Sequence, residues 1–257
     1  MLASQLDKIF HNGKSVVLAY DQGLEHGPKD FDERNINPDY ILDIAEKGCF
    51  KGLVLHHGIA EKYYGSIHNV PLIVKLNGKT NIPQMEPYSE EVCTVKRAVS
   101  LGADLVGYTI YVGSEHEHRM FKRFGWIVNE AHHYGIPVVA WVYPRGKYVA
   151  DPLSTETLAY AARVGLELGA DVIKINYHGD LNGFKWVVKA AGKAKVLVAG
   201  GSKMDDHEFL QKTYEIMQAG ASGLAVGRNV WQHQDPLRMA DRIKKIVFEN
   251  KRVDEVL

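Results

Sequence analysis

The sequence predicts an α/β fold, a single (β/α)8 TIM barrel with a short N-terminal helix, and three observations carry that prediction. Eight short apolar strand candidates alternate with amphipathic stretches of helical period from one end of the chain to the other. Such alternation calls for parallel strands joined by helical crossovers. The last two strand candidates both end in glycines, Gly200 with Gly201 and Gly227 before Arg228, at the loops where barrels of this kind hold phosphate. A doubly wound sheet would also alternate, with a reversal of strand order, but the regular spacing and the pair of glycine-rich endings both favour the barrel. At 257 residues the chain has an ordinary length for one barrel, so 1–257 reads as one domain.

Each element follows from local signals. Leu2, Leu6, Ile9 and Phe10 share one face of an opening helix that stops at Asn12 and Gly13, and this helix is expected to plug the barrel bottom. Strand one spans 15–21. Asn37 and Pro38 read as an N-cap and first helical residue, and Gly48 as the stop before strand two at 52–56. Strand three spans 72–77, and Pro83 and Pro87 make 82–88 a loop. Ser89 is expected to start the next helix, which carries Val92, Val95 and Val99. After strand four at 104–110, Ser114 and Glu117 have the spacing of a capping box for a helix ending near Gly135. Strand five, 137–143, sorts by face: Val138, Ala140 and Val142 on one side, Val139, Trp141 and Tyr143 on the other. The small side suits covering helices, so the aromatic side should point inward. Ser154 opens a helix closing at Gly169. Strand six follows with Lys174, then a helix over 182–192, strand seven at 195–199, strand eight at 223–226, and a last helix from Pro236 to about Phe248. The polar tail at 249–257 is open to fraying or docking.

Composition narrows the function classes. Lys plus Arg and Asp plus Glu each number 31, so no global field points to nucleic acid or to an anionic membrane. Cys49 and Cys93 form no CxxC, and no charged and then apolar leader precedes them, which reads as a reduced, cytoplasmic protein. No apolar run approaches the roughly 18 residues of a membrane span.

Within strand six, Val172, Lys174, Asn176 and His178 point one way and Ile173, Ile175 and Tyr177 the other. An ammonium on a buried strand loses hydration, which lowers its pKa and frees the neutral, nucleophilic amine of a Schiff-base lysine. Lys75 on strand three is its rival. A snorkelled, solvated lysine is the ordinary alternative, but a closed barrel offers no solvated strand edge. Pattern alone leaves the choice between the two lysines open. The polar loop after strand one, with Asp21, Gln22 and His26, is a site candidate by position. A buried Asp21 would need a partner such as a lysine or substrate hydroxyls. Tyr143 and Trp141 should face the barrel mouth, as core filling or as chemistry. A tyrosine of pKa about 10 serves as base only with a cation beside it. Lys75, Arg145 and Lys203 compete for a second phosphate. Twelve histidines invite a metal, yet the pairs 56 and 57, 116 and 118, and 132 and 133 lack the spacing that aligns ligands on a helix face, so no metal and no cofactor is expected.

Five ordered stretches, YDQGLEHGP (20–28), WVYPRG (141–146), VIKINYHGD (172–180), GGSK (200–203) and ASGLAVGRNVWQ (221–232), together resemble the archaeal-type class I fructose-1,6-bisphosphate aldolase family, across almost the whole chain. The resemblance implies a metal-independent aldolase on a (β/α)8 barrel, acting on a sugar phosphate in glycolysis and gluconeogenesis, and usually built as a large ring-like homo-oligomer, often a decamer. It makes Lys174 the Schiff-base lysine, Tyr143 the proton donor and acceptor, Trp141 a holder of that geometry, and Asp21 the ligand of substrate hydroxyls. Gly200, Gly201, Gly227 and Arg228 would hold a phosphate, with Ser202 standing where relatives often carry proline. The related 2-amino-3,7-dideoxy-D-threo-hept-6-ulosonate synthases share the YPRG and GRN stretches and are the alternative, and Trp141 before Tyr143 favours the aldolase. A non-catalytic sugar-phosphate-binding protein is the reading from a different class.

Overall fold

A computed structural model describes residues 2–65 and 69–257. Eight parallel strands close into a barrel: β1 (Ser15–Ala19), β2 (Gly52–His56), β3 (Leu72–Lys75), β4 (Leu105–Val112), β5 (Val138–Pro144), β6 (Val172–Ile175), β7 (Lys195–Ala199) and β8 (Gly223–Val226). Each strand pairs with its neighbours in sequence, and β1 pairs with β8 to complete the cylinder, with Leu18 opposite Val226. Closure removes every unpaired strand edge of the barrel.

Alternation along the strands produces two cores. Val138, Ala140, Val142, Ile173 and Ile175 face the surrounding helices. Val17, Val54, Ile73, Val139, Trp141 and Val172 fill the cylinder. The helix Leu2–Ile9 closes the bottom, with Ile9 fully buried and Phe10 and Leu6 packed into the interior cluster. The plug expected from the sequence is therefore present, although the Leu2 side chain lies outside the described residues.

Several local readings are corrected. β3 ends at Lys75, and Asn77–Gly78 instead pairs antiparallel with Glu90–Glu91. The cause is Asn77, whose buried amide donates to Ser89 O (3.1 Å) and Thr109 O (2.9 Å) and accepts from Thr109 N (2.7 Å). Ser89 is thereby held in the loop, and the helix starts later, at Val95–Ser100, capped by Thr94 Oγ1 accepting from Arg97 N. Val92 is left exposed outside it. The expected capping box is shifted. The helix runs Glu117–His133, Ser114 Oγ accepts from His116 N, and Glu117 Oε2 accepts from Gly113 N. At the end of helix Pro38–Lys47, Cys49 rather than Gly48 takes the left-handed backbone, and Gly48 is needed because a Cβ there would strike Ile44 O and the Phe50 ring. The tail docks on its own barrel, with Val253 and Val256 buried and Arg242 Nη2 donating to Leu257 O (2.6 Å). Among the described residues no helix is long and apolar enough to cross a membrane.

Candidate active site

The site cavity opens at the carboxyl ends of the strands. Its lining brings together Asp21, Gln22, His26, Lys75, Trp141, Tyr143, Arg145, Lys174, Gly200, Gly201, Gly227 and Arg228, all singled out in the sequence, but neither Ser202 nor Lys203, whose ammonium lies 3.5 Å from Asp206 Oδ1 instead. Ser202 is exposed outside it, its carbonyl accepting from Asn229 Nδ2 (2.8 Å). Small residues at the ends of β1, β7 and β8, namely Ala19, Ala199 and Ala225, leave the space into which the long side chains of β3, β5 and β6 project.

Lys174 and Lys75 are both buried, each 6 % exposed, and both ammoniums lie over the Trp141 ring, 5.1 and 5.6 Å from its centroid. Trp141 pairs in register with Lys174 across β5 and β6, and its ring packs against β4 where Gly107 has no side chain to meet it. The two amines differ in their partners. Lys75 Nζ is 3.1 Å from Asp21 Oδ2, whereas Lys174 has no ion-pair partner among the described residues. The structure thus separates the rivals that pattern left open: Lys75 is held by a carboxylate and Lys174 is free.

Burial lowers the Lys174 pKa to about 8 from the usual lysine value; Asp21 opposes the shift and the Lys75 charge adds to it. Burial alone would push the Asp21 carboxyl up, but the Lys75 and Lys174 ammoniums outweigh it and hold Asp21 well below the ordinary carboxylate range. Burial pushes the Tyr143 phenol well above its ordinary value, and Asp21 pushes it further; the Arg145 guanidinium, 5.4 Å from the Tyr143 ring centroid, pulls the other way. Arg145 also lies over Tyr111 and is 3.3 Å from Glu25 Oε1. Two buried donors, Gln22 Nε2 and Trp141 Nε1, have no partner among the described residues.

The glycine rim is built from the backbone outward. Gly201 has φ of 78°, a left-handed conformation, and a Cβ at Gly227 would strike Ala19 O. Asn229, fully buried, donates through Nδ2 to Gly200 O (3.1 Å) and Ser202 O and accepts from Met204 N (3.0 Å) through Oδ1. It pins the β7 loop to the β8 loop. Asn229 is visible in the sequence only as part of the GRN stretch, with no role read from it there. His56, at the end of β2, entered the sequence reading only as half of a histidine pair set aside as metal ligands; burial, with Lys75 adding, lowers its pKa to about 4 and keeps it neutral beside Asp21. His178 lies outside the cavity lining and contacts Thr155 Oγ1 (2.9 Å) instead. Among the described residues no group of three or more His, Cys, Asp or Glu could hold a metal ion.

Fold and site together define a class: barrels that offer a buried, unpaired lysine amine to a substrate anchored by glycine loops, the arrangement of Schiff-base aldolases. The chain belongs to the DeoC/LacD family of aldolases, whose model matches residues 15–233. It is 48 % identical, over its whole length and 98 % of the relative, to a protein of Thermoproteus tenax named fructose-bisphosphate aldolase class 1. A protein of the same name from Halobacterium salinarum is 42 % identical over 97 % of this chain and 96 % of its own. Among solved structures, an archaeal fructose-1,6-bisphosphate aldolase with its catalytic lysine covalently bound to the carbinolamine intermediate superposes with a TM-score of 0.92 at 47 % identity, covering 96 % of this chain and 99 % of that one.

Proposed function

We propose that this protein is a class I fructose-1,6-bisphosphate aldolase, with the chain 1–257 acting as one catalytic unit in glycolysis and gluconeogenesis. One observation carries the reading: Lys174 is the cavity amine left without a carboxylate, and the glycine rim of β7 and β8 closes the same cavity. The names of the relatives favour cleavage of the bisphosphate over heptulosonate synthesis, as Trp141 does.

The residues support the following course. Neutral Lys174 adds to the C2 carbonyl of fructose 1,6-bisphosphate, and the carbinolamine hydroxyl leaves as water by taking the phenolic proton of Tyr143, which gives an iminium beside a tyrosinate. Tyr143 takes the C4 hydroxyl proton while the bond between C3 and C4 breaks, its electron pair moving into the iminium to form an enamine. Glyceraldehyde 3-phosphate leaves, Tyr143 returns the proton to C3, and hydrolysis releases dihydroxyacetone phosphate and the free amine. Burial keeps Tyr143 a neutral phenol at rest, so it becomes a base only when Arg145 and the new iminium stabilise its phenolate. Asp21, ionised throughout, accepts from substrate hydroxyls and holds Lys75. Gly200, Gly201, Gly227 and Arg228 hold one phosphate. Gln22, His26, Lys75 and Arg145 complete the polar wall for hydroxyls and the other phosphate.

Borohydride reduction in the presence of dihydroxyacetone phosphate, followed by peptide mapping, tests this. The expected adduct is on Lys174 and is lost in Lys174→Met along with cleavage; an adduct on Lys75, or on no lysine, overturns the reading. The same reading includes a reduced, cytoplasmic setting, supported by the two free cysteines, and a homo-oligomer, supported by Trp126, Tyr160 and Trp186 exposed on outer helices. A monomer mass by light scattering would remove the oligomer.

A further inference from the structure

We infer that Asp30 is a positioning residue for substrate phosphate, aligning side chains from both ends of the strand order at the seam where the barrel closes. Its Oδ2 lies 2.7 Å from His26 Nδ1 and 3.4 Å from Arg228 Nη1. His26 belongs to the loop after β1 and Arg228 to the loop after β8, and both line the active-site cavity. The inference rests on the reading of that rim as the phosphate site.

Three features distinguish this contact from a surface ion pair. The Asp30 side chain is 16 % exposed and those of Arg228 and His26 are 22 % and 24 % exposed, so all three are largely withdrawn from water, where exposed pairs lose most of their strength. A carboxylate only accepts, so its contact places a hydrogen on His26 Nδ1 and fixes the ring's orientation, with Nε2 left unbonded among the described residues. One of the five guanidinium donors of Arg228 is engaged and the others stay available for an anion. The main chain fastens the same seam: Gln232 Nε2 donates to Asp30 O (2.6 Å) and Trp231 Nε1 donates to Ala19 O (3.1 Å).

Two physical effects oppose each other here. A carboxylate near the phosphate repels it, so its removal would tighten binding. A carboxylate that orders an arginine and a histidine in advance spares the ligand that ordering, so its removal would weaken binding. The second wins, because Arg228 stands beside the carboxylate and offsets its charge, whereas nothing else among the described residues bonds the Arg228 or His26 side chains. Ordering two long side chains in advance corresponds to about tenfold in affinity.

The test is steady-state cleavage of fructose 1,6-bisphosphate, with inorganic phosphate as competing ligand, by the wild type, Asp30→Asn, Asp30→Ser, Asp30→Glu, Arg228→Ala and Gln232→Leu. The expected result is a KM and a phosphate inhibition constant raised about tenfold in Asp30→Asn and in Asp30→Ser, with kcat within about threefold of wild type and partial recovery in Asp30→Glu. Gln232→Leu, which removes only the main-chain fastening, should lower Tm and leave KM in place. Unchanged or lower constants in the Asn and Ser variants, beside raised constants in Arg228→Ala, remove the role of Asp30 and leave the phosphate site standing. A Gln232→Leu variant that raises KM as much as Asp30→Asn also overturns it, since loop fastening would then suffice. Unchanged constants in Arg228→Ala overturn both readings.

Discussion

Lys174 and Lys75 lie over one indole ring and share one acid, and the proposed function gives Lys174 the part of nucleophile on the ground of their different electrostatics. Desolvation lowers the Lys174 pKa to about 8, with the Lys75 charge pushing in the same direction and Asp21 against it. In Lys75→Met the push is lost and Asp21 is left to Lys174 alone, so both changes raise the Lys174 pKa. The limb of the pH profile of kcat/KM near 8 should therefore move upward, and for every pH unit that it moves, activity at pH 7 should fall about tenfold. A limb that stays in place would show that Lys75 acts on substrate rather than on the nucleophile. The lowered pKa is also a cost to the fold. An unfolded Lys174 binds its proton up to pH 10.5, the folded one only to about 8, so the unfolded chain holds more protons between these values and stability rises with pH across that window. Below pH 8 the charged amine costs a constant amount, about 3 kcal/mol. Lys174→Met should thus raise Tm at pH 7, and the difference from wild type should shrink between pH 8 and 10.5; an unchanged Tm would mean that the amine is better solvated than its burial indicates. The lysines were visible in the sequence as charges on buried strands. Which of them was free was not, because the deciding carboxylate, Asp21, meets Lys75 only after β1 and β3 have been brought round the barrel.

At the scale of the element, β5 was readable because its two faces differ in residue size, and the structure places Trp141 and Tyr143 on the inner face as that difference requires. The partner that makes this possible was not readable. Gly107 sits two strands from Lys174 inside an ordinary apolar run of β4, and nothing in LVGYTIYV marks its glycine as the floor for an indole. A Cβ added there would fall within the Trp141 ring at Cζ3 and Cη2. Gly107→Ala should accordingly destabilise the protein by about 2–3 kcal/mol, the range of an overpacked core, and tilt the ring on which both ammoniums rest. The check is Tm together with the yield of the borohydride adduct at Lys174. A variant with wild-type Tm and adduct yield would show that Trp141 can move aside without consequence. Loop and cap assignments failed for a related reason: Ser89 has the chemistry of an N-cap, but its carbonyl is claimed by Asn77, a contact that no window of local sequence contains.

For the molecule as a whole, the barrel divides labour between its ends, and the division explains how much of it the sequence displayed. Strand and helix order was legible because both periodicities are local and repeated eight times, and the glycine exits of β7 and β8 marked the catalytic end. The seam between β1 and β8 was illegible, since Asp30 and Arg228 are separated by 198 positions and neither belongs to a periodic pattern. The opposite end is closed by apolar packing. There Ile9, fully buried, and Phe10 extend the interior cluster below Val17, Ile73 and Leu105, and among the described residues none that lines the cavity belongs to the plug. Ile9→Ala removes a large buried side chain from a site walled by strands that cannot collapse inward, which costs about 3 kcal/mol. For a chain of this length that lowers Tm by roughly 6–12 °C. Because the strands between plug and cavity are held by complete ladders on both sides, kcat and KM at 25 °C should stay at wild-type values while the half-life at elevated temperature falls. A loss of kcat in Ile9→Ala at a temperature where the variant is fully folded would show that the bottom of the barrel is mechanically coupled to Lys174, and that the two ends are not independent.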